Sequence, residues 1–463
     1  MAEASVFDPG LIARYDRPGP RYTSYPTAAE FRDDFHAQDF IAAATARRAA
    51  HAGDPLSVYM HVPFCTSPCY YCACTRVITR QPLAADAYLR RLEGEIAMQG
   101  ALLGARPIEQ LHFGGGTPTF FTTAQLHRVI DHLSRHFQVS EQDSREYSIE
   151  VDPRTVHAGT IERLADLGFN RLSLGVQDFD ARVQEAVNRV QSTSDTLELI
   201  GAARRSGFAS ISVDLIYGLP LQTVQSFGAT LDLITMVRPD RVAAYSYAHL
   251  PRQFKAQRQI DESQLPRGEQ KLALFALVVE KLTAAGYQYI GLDHFALPDD
   301  ELAIARRNGG LQRNFQGYST RGGLDLLGLG MSAIGHIGDV YSQNTRDLDL
   351  YYRAIDHGEL PVARGMRLTP DDRARADVIA GLMCHGEVDV AGIESRHHLR
   401  FAEHFGPELR ELDALSRDAL VELDERRIRV MPRGQFLLRA VARVFDAYLP
   451  TTTPATPRYS RVV

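Results

Sequence analysis

The sequence alternates between short β-rich apolar runs and amphipathic helical stretches, with a glycine- or proline-marked loop between them. Such alternation predicts parallel strands joined by right-handed helical crossovers, because two parallel strands need a long connection. The predicted strands cover 56–62, 109–114, 146–151, 170–176, 210–216, 241–247, 287–292 and 325–330. The predicted helices between them cover 84–103, 123–137, 156–167, 193–206, 222–236 and 266–285. The pattern predicts an α/β protein.

Polar and glycine residues stand at the ends of the predicted strands. In chain order they are His61, Cys65, the glycines of 114–116, Glu150, Asp152, Gln177, Asp214, Tyr217 and His249. The carboxyl ends of the strands build the active site of a βα barrel, so we expect a partial (β/α) TIM-like barrel of parallel strands with one shared site. An open, doubly wound sheet also gathers ligands at its strand ends and remains the alternative.

The alternation stops near residue 368 and divides the chain into three predicted parts. Residues 1–50 form a lead-in segment, residues 51–367 form the catalytic barrel, and residues 368–463 form a smaller, mainly helical domain. The sequence Thr369-Pro-Asp-Asp372 predicts a helix start, since proline is favoured at the first helical position.

Charge and cysteine usage narrow the functional classes. A formal net charge of −6 argues against a nucleic-acid binder, which carries a basic surplus. The sequence has neither a secretory signal nor an apolar run approaching the roughly 20 residues of a membrane helix, so we expect a cytoplasmic protein. Four of the five cysteines lie within 65–74. In a reducing compartment, such a cluster indicates metal binding or redox chemistry.

The cysteine cluster reads Cys65-Thr-Ser-Pro-Cys69-Tyr-Tyr-Cys72-Ala-Cys74. Spacings of four and three residues let one loop reach three corners of a four-iron cluster, which leaves the fourth iron open to a ligand. Zinc sites usually add a second cysteine or histidine pair far along the chain, and the sequence has none. His61, four residues before Cys65, keeps a zinc site as an alternative.

A second motif, Leu-His-Phe-Gly-Gly-Gly-Thr-Pro, occupies 111–118. Three glycines after a strand free backbone N–H groups and allow a ligand to approach closely. This motif follows the cysteine motif by one predicted strand–helix unit.

Together the two motifs resemble the radical S-adenosylmethionine (SAM) superfamily. The resemblance implies that Cys65, Cys69 and Cys72 bind a [4Fe–4S] cluster. It further implies that SAM chelates the fourth iron and is split to a 5′-deoxyadenosyl radical. Tyr71 stands where the superfamily favours an aromatic ring beside the adenosyl group, and the glycine loop where it meets the amino-acid end of SAM.

Cys74 extends the motif to CxxxCxxCxC, which resembles the oxygen-independent coproporphyrinogen III oxidases within that superfamily. The likeness runs from about residue 19 to the end of the chain. The segments that carry it are 20–28, 148–153, 174–179, 214–220, 247–251, 291–296, 313–318 and the closing Tyr-Ser-Arg-Val at 459–462.

The resemblance implies two bound SAM molecules. The contacts implied for the cluster-bound molecule are Tyr59, Gly115 and Glu150. Those implied for the second are Tyr71, Gly116, Thr117, Gln177, Arg189, Asp214, Ala248 and Ile334. A carboxylate suits ribose hydroxyls, and an arginine suits a carboxylate. Each residue also has a purely structural alternative: Glu150 as a helix cap, Gln177 as a partner of loop backbone, and Asp214 with Arg189 as an ion pair.

The implied enzyme is an oxidoreductase of heme and porphyrin biosynthesis. It converts coproporphyrinogen III to protoporphyrinogen IX by turning two propionates into vinyl groups. The implied partners are an electron donor such as flavodoxin or ferredoxin and an unidentified electron acceptor. We expect the enzyme to be a monomer that binds neither nucleic acid nor membrane. Arg21, Arg80 and Arg313 lie in matching motifs and are candidates for binding the propionates.

Two alternatives remain open at this point. One is a heme chaperone that keeps the radical SAM core without making vinyl groups. Cys74 and the segment 313–318 argue against it, because that branch lacks both. The other is a radical SAM enzyme that acts on a different tetrapyrrole, which fold alone does not exclude.

The role of Cys74 can be tested by substitution. A fourth thiolate on the cluster would block the iron that SAM must reach, so we predict that Cys74 lies near the substrate or the second SAM without binding iron. Cys74→Ser should keep the iron content of the reconstituted protein and lose most oxidase activity. Cys65→Ser, Cys69→Ser and Cys72→Ser should each lose both. Full turnover in Cys74→Ser, or loss of its cluster, would contradict this assignment.

Overall fold

The computed structural model describes residues 6–449 and 461, so the closing motif at 459–462 lies outside the described residues except for Arg461. The strands are β1 (Leu56–Val62), β2 (Phe64–Cys65), β3 (Val77–Ile78), β4 (Pro107–Gly115), β5 (Gln138–Val139), β6 (Glu146–Val151), β7 (Arg171–Gln177), β8 (Ser210–Tyr217), β9 (Arg241–Ser246), β10 (Gln288–Gly291), β11 (His294–Ala296), β12 (Gln312–Asn314), β13 (Gly317–Ser319), β14 (Asp325–Leu329), β15 (Ile334–Ile337), β16 (Val340–Asn344), β17 (Val362–Arg367), β18 (Glu387–Asp389), β19 (Val421–Leu423) and β20 (Arg427–Val430).

The helices connect these strands and cover their outer face. They are α1 (Pro9–Tyr15), α2 (Ala37–Ala50), α3 (Leu83–Leu103), α4 (Thr123–His136), α5 (Ala158–Asp166), α6 (Ala181–Ala186), α7 (Thr193–Arg205), α8 (Val224–Val237), α9 (Glu269–Ala284), α10 (Glu301–Arg307), α11 (Leu348–Asp356), α12 (Pro370–Ala380), α13 (Val390–His397), α14 (Phe401–His404), α15 (Gly406–Arg417) and α16 (Leu438–Ala442). Among the described residues, no helix combines the length and the apolar character needed to cross a lipid bilayer.

One large sheet dominates the fold, in the order β10-β11-β9-β8-β7-β6-β4-β1-β14-β15-β16-β17, with β5 paired to β4. Strands β1, β4, β6, β7, β8 and β9 are all parallel and follow one another in chain order. A doubly wound sheet would reverse its strand order at a switch point, and this run does not reverse. The predicted partial barrel with a mainly helical C-terminal part is therefore confirmed, and the doubly wound alternative is wrong.

Two regions depart from the predicted parallel pattern. The run predicted at 287–292 forms β10, but it belongs to an antiparallel pair with β11, which in turn pairs antiparallel with β9. On the other side, β14 is parallel to β1, while β15, β16 and β17 extend the sheet antiparallel. Short turns join β10 to β11, β14 to β15 and β15 to β16, and such turns permit only antiparallel neighbours.

The C-terminal part begins at α12. Thr369 accepts a hydrogen bond from the Asp372 N–H (3.1 Å), and the Asp372 carboxylate accepts one from the Thr369 N–H (2.9 Å). This capping box is the predicted helix start. Strands β19 and β20 form a small sheet with β18.

The lead-in segment contacts both parts of the chain. Tyr22 donates a hydrogen bond to Asp446 (3.0 Å), and the Tyr25 hydroxyl accepts one from the Ala447 N–H (2.9 Å). Arg32 pairs with Gly365 in an isolated β-bridge to β17. The segment therefore lies between the barrel sheet and the C-terminal part.

A buried ion cluster fixes β14, the strand that extends the parallel run beyond β1. Asp325 accepts hydrogen bonds from Arg47 (2.9 Å) and the Gly338 N–H (3.0 Å), and it pairs with Arg106 (2.7 Å), whose side chain is fully buried. Burial alone would raise the pKa of Asp325, but its hydrogen bonds and the Arg106 charge lower it, so the carboxylate stays ionised.

Removing this carboxylate should destabilise the protein strongly. Asp325→Ala leaves Arg106 buried without its counter-ion, and we expect a loss of about 3–5 kcal/mol in the free energy of unfolding. Chemical denaturation followed by circular dichroism measures it. Asp339→Ala removes the exposed pair with Arg367 and should change stability by no more than about 1 kcal/mol. Equal effects of the two substitutions would contradict a dominant role for the buried cluster.

Candidate functional site

A cavity of about 260 Å³ opens at the carboxyl ends of the parallel strands. Strands β2, β4, β6, β7 and β8 contribute to its wall, whereas the predicted strand-end residues His61, Tyr217 and His249 lie outside it. Its lining includes Cys65, Cys69, Tyr71, Cys72, Cys74, Arg76, Gly115, Gly116, Thr117, Glu150, Asp152, Arg154, Ser173, Gly175, Gln177, Arg189 and Asp214.

The cysteines lie on a loop that is held by short strands and one arginine. Strand β2 ends at Cys65 and pairs in parallel with β3, which closes the loop. The Arg76 guanidinium donates hydrogen bonds to three loop carbonyls, those of Cys69 (3.3 Å), Cys72 (3.1 Å) and Cys74 (3.2 Å). Arg76 thus holds an irregular loop that has few backbone hydrogen bonds of its own.

Two arginines converge on the sulfur of Cys69. Arg154 Nη2 lies 3.3 Å and Arg189 Nη1 lies 3.4 Å from Sγ. Both arginines also donate to Asp152, at 2.7 Å and 2.9 Å. Burial alone would raise the pKa of Asp152, but the two guanidinium groups lower it, so the carboxylate stays ionised. This network joins the cysteine loop to the end of β6.

The pKa values of the Cys72 and Cys74 thiols shift in opposite directions. Cys74 is exposed to solvent and its backbone N–H lies 3.4 Å from the Cys72 sulfur. A hydrogen bond between the two thiols lowers the pKa of Cys72 to about 6 and raises the pKa of Cys74 well above its ordinary value. This direction favours the thiolate at Cys72, and the thiolate is the form of cysteine that binds iron.

The glycine loop contacts the cysteine loop directly. The Thr117 hydroxyl donates to Cys65 Sγ at 3.3 Å. Burial raises the pKa of Cys65 to about 11. A Cβ atom on Gly116 would lie 2.7 Å from the carbonyl of Pro63, so no larger residue fits there without moving the backbone.

Glu150, at the end of β6, links the glycine loop to the barrel interior. It accepts a hydrogen bond from the Gly115 N–H (3.3 Å), and His112 lies 3.1 Å from its other oxygen. The Tyr59 ring stacks on His112 at 5.8 Å, and its hydroxyl lies 3.1 Å from His61. Burial lowers the pKa of His61 to about 4, so that ring is neutral. Glu150 therefore pairs with loop backbone and caps no helix.

Asp214 lies beside Glu150 at the end of β8 and accepts a hydrogen bond from Ser173 (3.1 Å). Burial, and next the nearby Glu150 carboxylate, raise the pKa of Asp214 to about 7. A carboxyl group with this pKa exists in both protonation states near neutral pH, and it can donate as well as accept a hydrogen bond. Arg189 forms its ion pair with Asp152, so the Asp214–Arg189 pair considered as an alternative does not form.

The remaining predicted contacts divide into two groups. Tyr71 and Gln177 line the cavity, and Gln177 adopts a left-handed backbone conformation with φ of +67°. Tyr59, Ala248 and Ile334 lie outside its lining. The Gln257 amide donates to both Ala248 and Tyr71 carbonyls at 3.1 Å, which ties the 248 loop to the cysteine loop. Ile334 begins β15 and packs near Phe31 and Tyr341.

The candidate arginines occupy very different surroundings. Arg80 is exposed and donates to the Thr66 carbonyl at 3.4 Å. Arg21 forms an ion pair with Asp293. Arg313 stacks on Tyr318 in the β12–β13 hairpin, with its guanidinium carbon 4.7 Å from the ring centroid.

Comparison with known proteins identifies the family. The model of the radical SAM superfamily matches residues 59–234, and that of the HemN C-terminal domain matches residues 368–437. The chain is 46% identical to the oxygen-independent coproporphyrinogen III oxidase of Pseudomonas aeruginosa, with all of both chains covered. The chain belongs to the oxygen-independent coproporphyrinogen III oxidases. The Escherichia coli enzyme is also 46% identical, over 99% of this chain and 98% of that protein.

A solved structure agrees with this family. The coproporphyrinogen III oxidase from Escherichia coli, described as a radical SAM enzyme, superposes with a TM-score of 0.92 at 46% identity, covering 96% of this chain and all of that one. Membership in the radical SAM oxidases brings a [4Fe–4S] cluster and SAM as cofactors.

The donor set of the cavity fits an iron–sulfur cluster. Four thiols of one loop line the cavity, and N–H donors approach the sulfurs of Cys69 and Cys72, as at protein-bound iron–sulfur clusters. Among the described residues, no three His, Cys, Asp or Glu side chains come together as the ligands of one metal ion would.

Sequence reasoning missed Arg76, Arg154 and the role of Asp152 as a bridge. In an arginine-rich chain, no single arginine stands out by composition. A local signal existed for Arg154. Asp152-Pro153-Arg154 follows the end of β6, and the Asp152 carboxylate accepts a hydrogen bond from the Arg154 N–H in a short turn. The contact with Cys69, 85 residues away in sequence, needed the fold.

The hydrogen bond from Arg154 to Cys69 should tune the cluster. N–H donors to a ligand sulfur stabilise the more negative, reduced cluster, so Arg154→Gln should lower its midpoint potential. We expect a shift on the order of 60 mV, a tenfold change in a one-electron equilibrium. Potentiometric titration followed by EPR, without SAM, measures it. Arg182→Gln, an exposed arginine paired with Asp180, is the control. An unchanged potential at full iron content would refute the tuning role.

Proposed function

We propose that this chain converts coproporphyrinogen III to protoporphyrinogen IX by oxidative decarboxylation of two propionate side chains. The observation that carries the proposal is the full-length 46% identity to curated oxidases, with the CxxxCxxCxC loop at a barrel mouth. At each propionate, a hydrogen atom leaves the carbon next to the ring, one electron passes to an acceptor and CO₂ is released. A vinyl group remains.

Cys65, Cys69 and Cys72 are the proposed cluster ligands, and Cys74 has a proposed role near the substrate. When bound, the cluster and SAM supply a 5′-deoxyadenosyl radical that abstracts the hydrogen atom. All four of these cysteines line the cavity, which supports the proposal. The radical must be shielded from water, and the barrel wall around the cavity is suited to that task.

The proposed stoichiometry is two SAM molecules for each chain. Tyr59, Gly115 and Glu150 are assigned to the cluster-bound molecule. The second is assigned Tyr71, Gly116, Thr117, Gln177, Arg189, Asp214, Ala248 and Ile334. Eight of these eleven residues line the cavity, which supports the assignment. Glu150 and Asp214 offer carboxylate oxygens to ribose hydroxyls, and the buried Arg189 offers a guanidinium to a carboxylate.

The proposal extends to domains and partners. Residues 1–50 form a lead-in segment, residues 51–367 the catalytic barrel and residues 368–463 the C-terminal domain. The electron donor is a flavodoxin or ferredoxin, the acceptor is unidentified, and the enzyme acts as a cytoplasmic monomer. A reducing compartment suits the free thiols of the loop.

An anaerobic assay tests the proposed reaction. Reconstituted protein with coproporphyrinogen III, SAM, a reductant and cell extract as a source of acceptor should release two CO₂ per macrocycle and form 5′-deoxyadenosine. Product mass identifies protoporphyrinogen IX. Glu150→Ala and Asp214→Ala should each reduce turnover at least about tenfold, because a hydrogen bond to a charged group contributes about 1.5–3 kcal/mol. Both should retain iron, since neither is a proposed ligand.

Asp131→Ala is the matched control for these substitutions, since Asp131 pairs with Arg135 on the exposed face of α4. Its turnover should equal that of the unmodified protein. Tight heme binding, together with no decarboxylation when any electron acceptor is supplied, would favour a heme chaperone and refute the proposed oxidase activity.

A further inference from the structure

The partly buried guanidinium group of Arg313, in the β12–β13 hairpin, has no counter-ion among the described residues. The Nε and Nη1 atoms of Arg313 are buried, and neither has a hydrogen-bond partner among the described residues. Within the same residues, no carboxylate forms an ion pair with it. A buried charge without a partner carries a large free-energy penalty, and native proteins rarely keep one unless a ligand completes it.

The side chain of Arg313 is held in place by its neighbour across the hairpin. Arg313 and Tyr318 are directly opposite in the strand pairing, and the guanidinium lies over the tyrosine ring. The Tyr318 hydroxyl donates to the Met383 carbonyl at 3.0 Å. A Cβ atom on Gly291 would lie 2.2 Å from that hydroxyl, so a glycine is required there. Arg313 is therefore preorganised without any polar partner for its Nε and Nη1.

The surroundings of Arg313 are positively charged. The His294 ring lies between two tyrosine rings, 5.2 Å from Tyr318 and 5.9 Å from Tyr245, and Arg21 lies over Tyr245 at 5.4 Å. Burial, followed by the charges of Arg313, Arg21 and Arg241, lowers the pKa of His294 well below its ordinary value, so this ring is neutral. Arg21 has a counter-ion, Asp293. Arg313 has no such counter-ion among the described residues.

Two more polar atoms nearby lack partners. Nε2 of Gln316 and Nδ1 of His294 are buried, and no described residue bonds to them. Gln316 and His294 line a cavity of about 150 Å³ inside the barrel, and this cavity shares Glu150 and Asp214 with the cysteine cavity. Arg313 lines a neighbouring cavity of about 450 Å³. The hairpin therefore separates two cavities, one of which adjoins the proposed site of the chemistry.

We propose that Arg313 binds one propionate carboxylate of the tetrapyrrole. This inference rests on the proposed function, which supplies a substrate with four carboxylates. A carboxylate would neutralise the Arg313 guanidinium, which has no ion pair among the described residues, and would accept hydrogen bonds from its free N–H groups. Of the three arginines that sequence analysis selected, Arg80 is exposed and Arg21 already has a carboxylate partner.

Anaerobic binding of two porphyrin probes to the reconstituted protein tests the inference. The probes are coproporphyrin III, which carries four carboxylates, and its tetraamide, in which neutral amides replace them. The measured quantity is the ratio of their dissociation constants, read from fluorescence. Arg313→Gln should reduce the preference for the acid by about tenfold or more, because a neutral amide loses the charge-assisted hydrogen bonds to the carboxylate. The preference of Arg313→Lys, which keeps the charge, should lie between that of the unmodified protein and that of Arg313→Gln.

Arg91→Gln is the matched control. Arg91 also stacks on a tyrosine, Tyr352 at 4.1 Å, but it already pairs with Asp356 of the chain itself. The preference of Arg91→Gln for the acid over the amide should therefore equal that of the unmodified protein. Iron content and SAM cleavage without substrate verify that each variant is intact. An unchanged preference in Arg313→Gln would overturn the inference. Failure of the unmodified protein to bind coproporphyrin III would overturn the proposed function instead.

Discussion

The site depends on one constraint, the pairing of six parallel strands in their order along the chain. Parallel pairing brings all their carboxyl ends to one edge, so residues far apart in sequence become neighbours there. Cys69 follows β1, Arg154 follows β6 and Arg189 follows β7, yet both arginines reach the same sulfur. Changing the order of two strands would separate these side chains.

The arginines of this protein that lie in its interior differ in whether the chain supplies a carboxylate to pair with them. Near β14, Arg106 and Arg47 share Asp325, and at the barrel mouth Arg154 and Arg189 share Asp152. In each case the protein itself supplies the carboxylate. The arginines keep the pKa of that carboxylate low, although burial alone would raise it. Arg313 lacks such a partner among the described residues. The contrast separates charges that hold the fold together from one that we assign to ligand binding.

The antiparallel additions have a separate role from the parallel run. Hairpin β12–β13 lies between two cavities, and its Ser319 accepts a hydrogen bond from Gln110 inside the barrel (2.9 Å). Tyr318 of the same hairpin reaches Met383 in the C-terminal part. The lead-in segment also contacts that part through Tyr22 and Tyr25. These elements cover the interior that an incomplete barrel leaves open.

The sequence by itself determined the parallel strands, the cysteine and glycine loops and the start of α12, because periodicity, spacing and capping are local properties of the chain. It also determined the family, through motifs distributed over nearly its whole length. The tertiary structure alone decided that β10 pairs antiparallel, that Arg189 pairs with Asp152 and that Arg154 reaches Cys69. It alone decided that Nε and Nη1 of Arg313 are buried with no partner among residues 6–449 and 461. Partner choice depends on which distant segments meet, and in a chain rich in arginine no local pattern distinguishes a paired guanidinium from a free one.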